Sequence, residues 1–220
     1  MSIERGVGSC CTLLGELLKE WKPSQSFQEC AVLLEGVILL DTMNLSTSIN
    51  KTTNQDREIV QFLDINHPSI PILQNELFDR LSNAKYDPVF WSSISLKDAL
   101  EYDYKIFSLG SYQFGWSVVL TTLSSFLSSH QACHIIQDFC NERKLDGLVF
   151  SSVVSGDVLR REFFIYQVNT EDLELKKKIQ RVEKALEFDY HCERESNSVF
   201  VTATPVSRKG LAPVLMRLFE

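Results

Sequence analysis

Val206-Ser207-Arg208-Lys209-Gly210-Leu211 is the most informative segment of the chain. It follows a strand-like run at residues 199–204 and leads into a short apolar helix predicted at 211–219. Cations normally stabilise the last turn of a helix rather than its first turn. Arg208 and Lys209 at the start of a helix therefore indicate a bound anion, because backbone N–H groups, a guanidinium and an ammonium would converge on it. A solvated basic turn would have the same sequence, so the segment alone leaves both interpretations open.

Composition and charge are typical of a globular protein that does not bind nucleic acid through its overall charge. The chain has 220 residues, 44% hydrophobic and 23% charged, which is enough for one large domain or two small ones. The formal net charge is −7, whereas sequence-independent nucleic-acid binding needs a basic surface that displaces counterions from the phosphates. A small phosphate ligand remains compatible with this charge, since a local cationic pocket or a metal ion can reverse the potential nearby.

The cysteines and the N-terminal segment predict a cytosolic protein with reduced thiols. The first residues contain no apolar signal-peptide core, and the longest apolar runs are far shorter than the ~20 residues that span a bilayer. We therefore expect a cytoplasmic location and no membrane partner. The six cysteines form no CxxC pair and no metal-finger spacing, and each is expected to be a small buried hydrophobic residue. They are Cys10, Cys11, Cys30, Cys133, Cys140 and Cys192.

The first part of the chain predicts helices that cannot bury their own apolar surface. A helix at 9–21 has an apolar stripe, and a second helix at 27–40 is apolar on most sides. Ser, Thr and Asn dominate residues 46–58, which predicts a loop, and a third helix is expected at 56–63. The stiff segment His67-Pro68-Ser69-Ile70-Pro71 then predicts an inter-domain connector.

From residue 73 onward, the sequence predicts strands interleaved with helices. A hairpin-type turn is expected at residues 155–157, Ser-Gly-Asp. The pattern predicts an α/β fold class with a mixed β-sheet flanked by helices. The predicted helices are 73–84, 95–104, 125–144 and 172–186, and the predicted strands are 114–120, 148–154, 162–168 and 198–204.

Several polar residues are candidates for function, each with a structural alternative. Asp41 ends an apolar run, where an ionised carboxylate is costly unless it is paired or bound to a metal. It could equally cap a turn or pair with a lysine. Asp56 begins a helix and could simply cap it, and Lys105 could either reach a ligand or lie on the surface. His130 and His134 are four residues apart on a predicted helix, a spacing that can hold zinc, but no acidic residue lies between them in an HExxH arrangement.

Five segments occur in the order expected of one family, the DHH phosphoesterases. VGSCCTL at 7–13 resembles the segment that follows the family's Asp-His-His motif, and GVILLDTMNL at 36–45 resembles its last metal-ligand motif. KTTNQD at 51–56 is similar to the Thr-rich stretch and the Asp that come next. DYK at 103–105 and SRK at 207–209 resemble the phosphate-gripping residues of the second domain. The resemblance covers nearly the whole chain and is closest to prune-type exopolyphosphatases, with family II inorganic pyrophosphatases as more distant relatives.

This resemblance implies a two-domain hydrolase that acts on phosphoanhydrides such as short polyphosphate or pyrophosphate. The family's first domain holds two or more Mn²⁺ or Mg²⁺ ions, which activate a water for attack on phosphorus, and its second domain closes over the phosphates with Lys and Arg. Carried over by position, Asp41 would be a metal ligand, and Lys105, Arg208 and Lys209 would bind substrate phosphate. Asp41 would then face Arg208 and Lys209 across a cleft.

The resemblance also implies that most of the metal-binding domain is missing. The family's other metal motifs should precede Val7, where this chain has neither Asp nor His. One carboxylate cannot hold a divalent pair, because Mg²⁺ and Mn²⁺ sites take about six oxygen or nitrogen ligands. We therefore expect residues 1–58 to be a remnant of the metal domain, 59–72 a linker, and 73–220 a substrate-binding domain, with little or no hydrolase activity in this chain.

Two alternatives to a hydrolase remain open: a plain α/β domain of unrelated function, and a non-catalytic phosphate-binding or protein-interaction module derived from that family. In the latter hypothesis the apolar face of residues 9–45 docks a protein partner or a second copy of the chain. The two apolar helices in that range need a neighbour that the chain itself does not obviously supply.

Overall fold

The computed structural model describes residues 6–20, 25–47, 51–65, 72–154, 160–196, 199–204 and 208–220, without the side chains of 25–29 and 195–196. The chain divides into two compact units, Met1–Lys85 and Tyr86–Glu220. Among the described residues, no helix is both long enough and apolar enough to span a membrane.

Four helices form the described part of the first unit: α1 (Cys10–Glu20), α2 (Gln25–Asp41), α3 (Asn54–Ile65) and α4 (Gln74–Lys85). The most apolar of them, α2, packs against the other three. Ala31, Ile38 and Leu39 of α2 are fully buried, together with Ile59 and Leu63 of α3. The predicted helices in this part of the chain are therefore present, with slightly different ends.

The third helix extends beyond its predicted C-terminal end. It continues to Ile65, so residues 59–65 of the predicted linker are helical. Ile59, Val60 and Leu63 are at most 2% exposed, and burial of this face favours continuation of the helix, because tertiary packing supplies most helix stability. The connector expected at 67–71 lies outside the described residues.

The second unit is built on a mixed six-stranded sheet, which confirms the predicted α/β class. In chain order the strands are β1 (Lys105–Leu109), β2 (Tyr112–Val119), β3 (Gly147–Val154), β4 (Arg160–Gln167), β5 (Glu193–Ser196) and β6 (Val199–Thr202). Their order across the sheet is β1-β2-β3-β4-β6-β5. β2 and β3 are parallel, as a helical crossover requires, and the other neighbours are antiparallel.

Helices cover both faces of this sheet. They are α5 (Pro88–Ser93), α6 (Leu96–Tyr102), α7 (Ser124–Leu127), α8 (Ala132–Glu142), α9 (Leu173–Asp189) and α10 (Arg208–Phe219). One core lies between the sheet and α9 with α10, and the other between the sheet and α5 to α8. Neighbouring residues of β3 point to opposite faces, so Val149 joins the first core and Leu148 and Phe150 join the second.

Two differences from the predicted elements affect where functional side chains lie. The helix expected at 125–144 is interrupted, and a turn separates α7 from α8. In this turn the carbonyl oxygen of Ser129 accepts a hydrogen bond from the N–H of Ala132, and its side-chain Oγ accepts one from the N–H of Gln131. Serine competes for backbone groups in this way and weakens a helix.

Residues 105–109 had no predicted element but form the edge strand β1. The turn expected at 155–157 lies outside the described residues. The strands on either side of it, β3 and β4, pair in antiparallel orientation.

The strand register brings several strand ends to one edge of the sheet. β1, β4 and β5 begin there, and β2, β3 and β6 end there. Lys105 and Arg160 are the first residues of β1 and β4, and Thr202 is the last residue of β6. We call this side of the sheet the Lys105 edge.

Candidate functional site

Arg208 is the first residue of α10 and is held by Asp103, far away in sequence. Its Nη1 donates to the Asp103 carbonyl oxygen at 2.8 Å, and its Nη2 donates to Asp103 Oδ1 at 2.8 Å. The Arg208 side chain is 18% exposed, against 46% for Asp103. A guanidinium that is largely buried and bound through two nitrogens has a defined orientation.

The other two predicted phosphate-binding residues lie beside this pair. Lys105 is two residues beyond Asp103 and is exposed at the start of the edge strand β1. Lys209 follows Arg208 in the first turn of α10 and is also exposed. The contact between Asp103 and Arg208 thus brings the segments of Lys105 and Lys209 together at one place in the second unit.

The first turn of α10 concentrates positive charge where a helix already has its positive end. It contains Arg208 and Lys209 and no acidic residue. Cations at a helix N-terminus are unfavourable by a few tenths of a kcal/mol up to about 1 kcal/mol, so an anionic partner is favoured. Asp103 supplies one negative charge to Arg208. The ammonium groups of Lys105 and Lys209 are exposed and can reach a ligand.

The Lys105 edge also carries two arginines, Arg160 and Arg194, that no sequence motif indicated. A cleft of about 500 Å³ is lined by Arg160, His191, Glu193, Arg194, Val201, Thr202 and Ala203. Acidic partners balance the positive charge of the two arginines in this cleft. Arg160 pairs with buried Glu162 at 2.7 Å. Arg194 pairs with Glu183 and Glu187, each at 3.2 Å. The adjacent arginines at 160–161 could have been noticed in the sequence, but their position at this edge follows only from the strand register.

In the first unit, Asp41 is the last residue of α2. Its Oδ2 accepts a hydrogen bond of 2.7 Å from Ser9 Oγ, and its carbonyl oxygen accepts one of 2.7 Å from Lys51 Nζ. The three residues at 43–45 (Met, Asn and Leu) have positive φ angles of 50°, 56° and 57°. Consecutive non-glycine residues in this region are strained, and such strain is often found at functional sites.

Asp56 is fully buried and accepts hydrogen bonds from two other parts of the first unit. The backbone N–H groups of Gly8 and Ser9 donate at 3.0 and 3.3 Å, and Thr12 Oγ1 donates at 2.6 Å. The N–H and hydroxyl of Thr53 each donate at 2.7 Å. Burial alone would raise the pKa of Asp56, but these hydrogen bonds outweigh it and lower the pKa. The carboxylate is therefore ionised and fully used in joining these segments.

These residues do not fit a divalent metal pair. Asp56 directs its oxygens to N–H and O–H donors, and Asp41 is a single carboxylate that already accepts from Ser9. Within the described ranges, no group of three or more His, Cys, Asp or Glu side chains could hold a metal ion. The two histidines considered as a zinc site do not lie on the same helix. His130 lies in the turn before α8, and His134 lies within α8.

The sequence matches one domain family and curated proteins that resemble one another. A model of the DHHA2 domain matches residues 79–218. Exopolyphosphatase PRUNE1 of Rattus norvegicus is 31% identical over 147 residues, which are 67% of this chain and 32% of that protein. Exopolyphosphatase PRUNE1 of Homo sapiens is 30% identical over the same length. The chain thus spans about a third of the length of the curated relatives it matches.

The fold is similar to that of a solved structure from an archaeon. The crystal structure of a Methanococcus jannaschii putative family II inorganic pyrophosphatase matches 98% of this chain and 66% of its own chain, with a TM-score of 0.69 and 20% identity. At this identity the likeness concerns the fold.

Proposed function

The chain belongs to the family of proteins that carry the DHHA2 domain, and we propose that its second unit binds the phosphates of pyrophosphate or short polyphosphate. Its curated relatives are prune-type exopolyphosphatases, which supports a ligand of this kind. Lys105, Arg208 and Lys209 are the proposed phosphate contacts. We propose small condensed phosphates, rather than nucleic acid or a membrane, as partners, and a cytoplasmic location.

The placement of Arg208 is the observation that carries this proposal. Its guanidinium has five N–H donors, and Asp103 accepts hydrogen bonds from two of its nitrogens. The remaining donors, the exposed ammonium groups of Lys105 and Lys209, and the N-terminal turn of α10 can serve one anion with several phosphate oxygens. A net charge of −7 on the chain makes such a local cluster necessary, because the protein as a whole repels anions.

Calorimetric titration of the full chain with pyrophosphate and tripolyphosphate tests phosphate binding. Arg208→Ala should weaken the affinity about tenfold or more, since a hydrogen bond to a charged group contributes about 1.5–3 kcal/mol. Lys209→Ala should weaken it less, because an exposed ammonium contributes a more screened interaction. Lys177→Ala is the matched control, because Lys177 is exposed on α9 and its neighbour Lys178 contacts the last turn of α10 rather than its first. No binding by the wild type, or equal binding by all variants, would refute the proposal.

We also propose that this chain alone does not hydrolyse phosphoanhydrides at a meaningful rate. The two-domain hydrolases that it resembles use Mn²⁺ or Mg²⁺ to activate water. Asp41 remains the proposed metal ligand, but the carboxylates described around it are too few, and Asp56 is fully engaged with other donors. That Asp41 faces Arg208 and Lys209 across a cleft stays a prediction.

A phosphate-release assay with Mn²⁺ and short polyphosphate tests the absence of hydrolysis. We expect no turnover above the metal-only background for the wild type or for Asp41→Ala. Turnover at per-second rates that Asp41→Ala abolishes would show that the chain is a working hydrolase.

A second candidate function is protein interaction through residues 9–45. Leu33 and Val37 lie one turn apart on α2 and are 70% and 41% exposed, and Leu14 of α1 is 45% exposed. Exposed leucine and valine side chains on neighbouring helices favour contact with another apolar surface. Light scattering after size-exclusion chromatography should show self-association that the double variant Leu33→Ser/Val37→Ser removes. A monomeric wild type at high concentration would count against this function.

A further inference from the structure

We propose that Asp103 is a positioning residue for Arg208, which holds the guanidinium ready for a phosphate group. This inference rests on the proposed phosphate-binding function and adds a residue to it. Asp103 uses its backbone carbonyl and its carboxylate for the same arginine, and each contact measures 2.8 Å. Two contacts through different nitrogens fix both the position and the tilt of the guanidinium plane, which a single contact would not do.

The position of Asp103 explains why it attracts a cation. It is the C-terminal cap of α6, and α6 ends at Tyr102. The last carbonyls of a helix lack intrahelical partners and lie at the negative end of its dipole. Arg208 satisfies one such carbonyl, and the Asp103 carboxylate adds a full negative charge. Because β1 starts two residues later, Asp103 is fixed between a helix and a strand.

This arrangement orders a long side chain before any ligand binds. Arg208 is only 18% exposed, so most of its rotamer freedom is already lost in the free protein. A ligand then meets an oriented donor group and loses less entropy on binding. The two hydrogen bonds to Asp103 use one hydrogen of Nη1 and one of Nη2, and each of these nitrogens carries a second hydrogen that can point to a ligand.

The Asp103 carboxylate also has an opposing effect, because it partly neutralises Arg208. That effect should be the smaller one. The Asp103 side chain is 46% exposed, and solvent and salt screen its repulsion of a bound anion. The hydrogen bonds that orient Arg208 act at 2.8 Å on a largely buried guanidinium, where screening is weaker than over the longer distance to a bound anion. We therefore expect loss of the Asp103 side chain to weaken phosphate binding rather than to strengthen it.

A double-mutant cycle on the full chain tests this role, with pyrophosphate affinity measured by calorimetry. Asp103→Ala should weaken binding about fivefold to tenfold in the wild type, within the range of measured coupling energies. It should change binding by less than about twofold when Arg208 is already alanine, because nothing is left to orient. Asp103→Asn keeps an oxygen acceptor and should recover most of the affinity. It also provides a folded variant if Asp103→Ala is unstable, as checked by circular dichroism.

The possible results separate this inference from the function on which it rests. Tighter or unchanged binding by Asp103→Ala, with Arg208→Ala still weak, would overturn the positioning role and leave phosphate binding intact. An equal loss in the Arg208→Ala background would make Asp103 merely structural and would also overturn the inference. If the wild type binds no pyrophosphate, the proposed function fails and the positioning role fails with it.

Discussion

At Asp56, one buried carboxylate joins the segment at residues 8–12 to the start of α3. It accepts from Gly8 and Ser9 before α1, from Thr12 within α1, and from Thr53 before α3. A β-carbon added to Gly8 would lie 2.8 Å from Asp56 Oδ2, so only glycine allows this close approach. The sequence offered a helix cap as one explanation of Asp56, and its hydrogen bonds to Thr53 at the start of α3 are of that local kind. The contacts to Gly8 and Thr12 depend on packing.

Asp56→Asn should destabilise the chain in a pH-dependent way. Because the folded state lowers the pKa of Asp56, the carboxylate stabilises the fold fully above its unfolded pKa of about 3.9. That contribution is lost as the pH falls through the lower pKa of the folded state. We expect Asp56→Asn to lower the free energy of unfolding by about 2 kcal/mol at pH 7, and by less below pH 4.

Urea unfolding of both proteins across this pH range measures the effect. Asp79→Asn is the control, because Asp79 is exposed on α4 and should change stability little at any pH. An equal loss at pH 7 and pH 3 would show that the charge of Asp56 is not responsible.

At the scale of elements, both ends of α10 are held by other parts of the second unit. Its first residue, Arg208, is bound by Asp103. At its last turn, the Lys178 ammonium donates to the Phe219 carbonyl, where a cation also complements the helix dipole. The turn between β1 and β2 packs beside that end, since a β-carbon on Gly110 would lie 3.1 Å from the Phe219 carbonyl oxygen. These contacts set the direction in which α10 presents its N-terminus.

Gly110→Ala should destabilise the second unit. Gly110 has a φ of +61°, which other residues adopt with strain, and the added methyl group would press on Phe219. We expect a loss of about 1–2 kcal/mol in the free energy of unfolding. Urea unfolding followed by tryptophan fluorescence is the measurement, since Trp91 and Trp116 are buried in this unit. Gly6→Ala has open space around its β-carbon and should behave like the wild type.

The elements also show how far local pattern predicts structure. The long helix α9 and strands β3 and β4 were predicted, because their apolar spacing repeats over many residues. The strand β1 was missed, since it is a short edge strand in which only Leu109 is buried and apolar alternation is weak. The small strand β5, with the sequence Glu-Arg-Glu-Ser, was missed for the same reason. Pairing with a neighbouring strand, rather than its own composition, makes each of them a strand.

Across the whole molecule, the cysteines divide by exposure. All six are free thiols. Cys140 and Cys192 are buried, and burial raises their pKa to about 12 and about 11, respectively. Cys10, Cys30 and Cys133 are exposed, so the expectation that every cysteine is buried is wrong for these three.

A thiol reagent at pH 8 should distinguish these groups in the native protein. We expect Cys10, Cys30 and Cys133 to react quickly, and Cys140 and Cys192 to remain unmodified, because they are inaccessible and hold almost no thiolate at that pH. All six should react in urea. Mass spectrometry of labelled peptides identifies each site, and rapid labelling of Cys140 or Cys192 in the native state would contradict the burial of these residues.

The local order of residues was sufficient to predict the α/β class, most of the helices, and Arg208 with Lys209 at the start of a helix. Apolar spacing and helix signals act over a few residues, so they are visible in a sequence without any contact being known. The partner of Arg208, the meeting of six strand ends at the Lys105 edge and the enclosure of Asp56 were not visible in that way. Each depends on contacts between residues far apart in the chain, which form when burial of apolar surface packs the helices against one another and against the sheet.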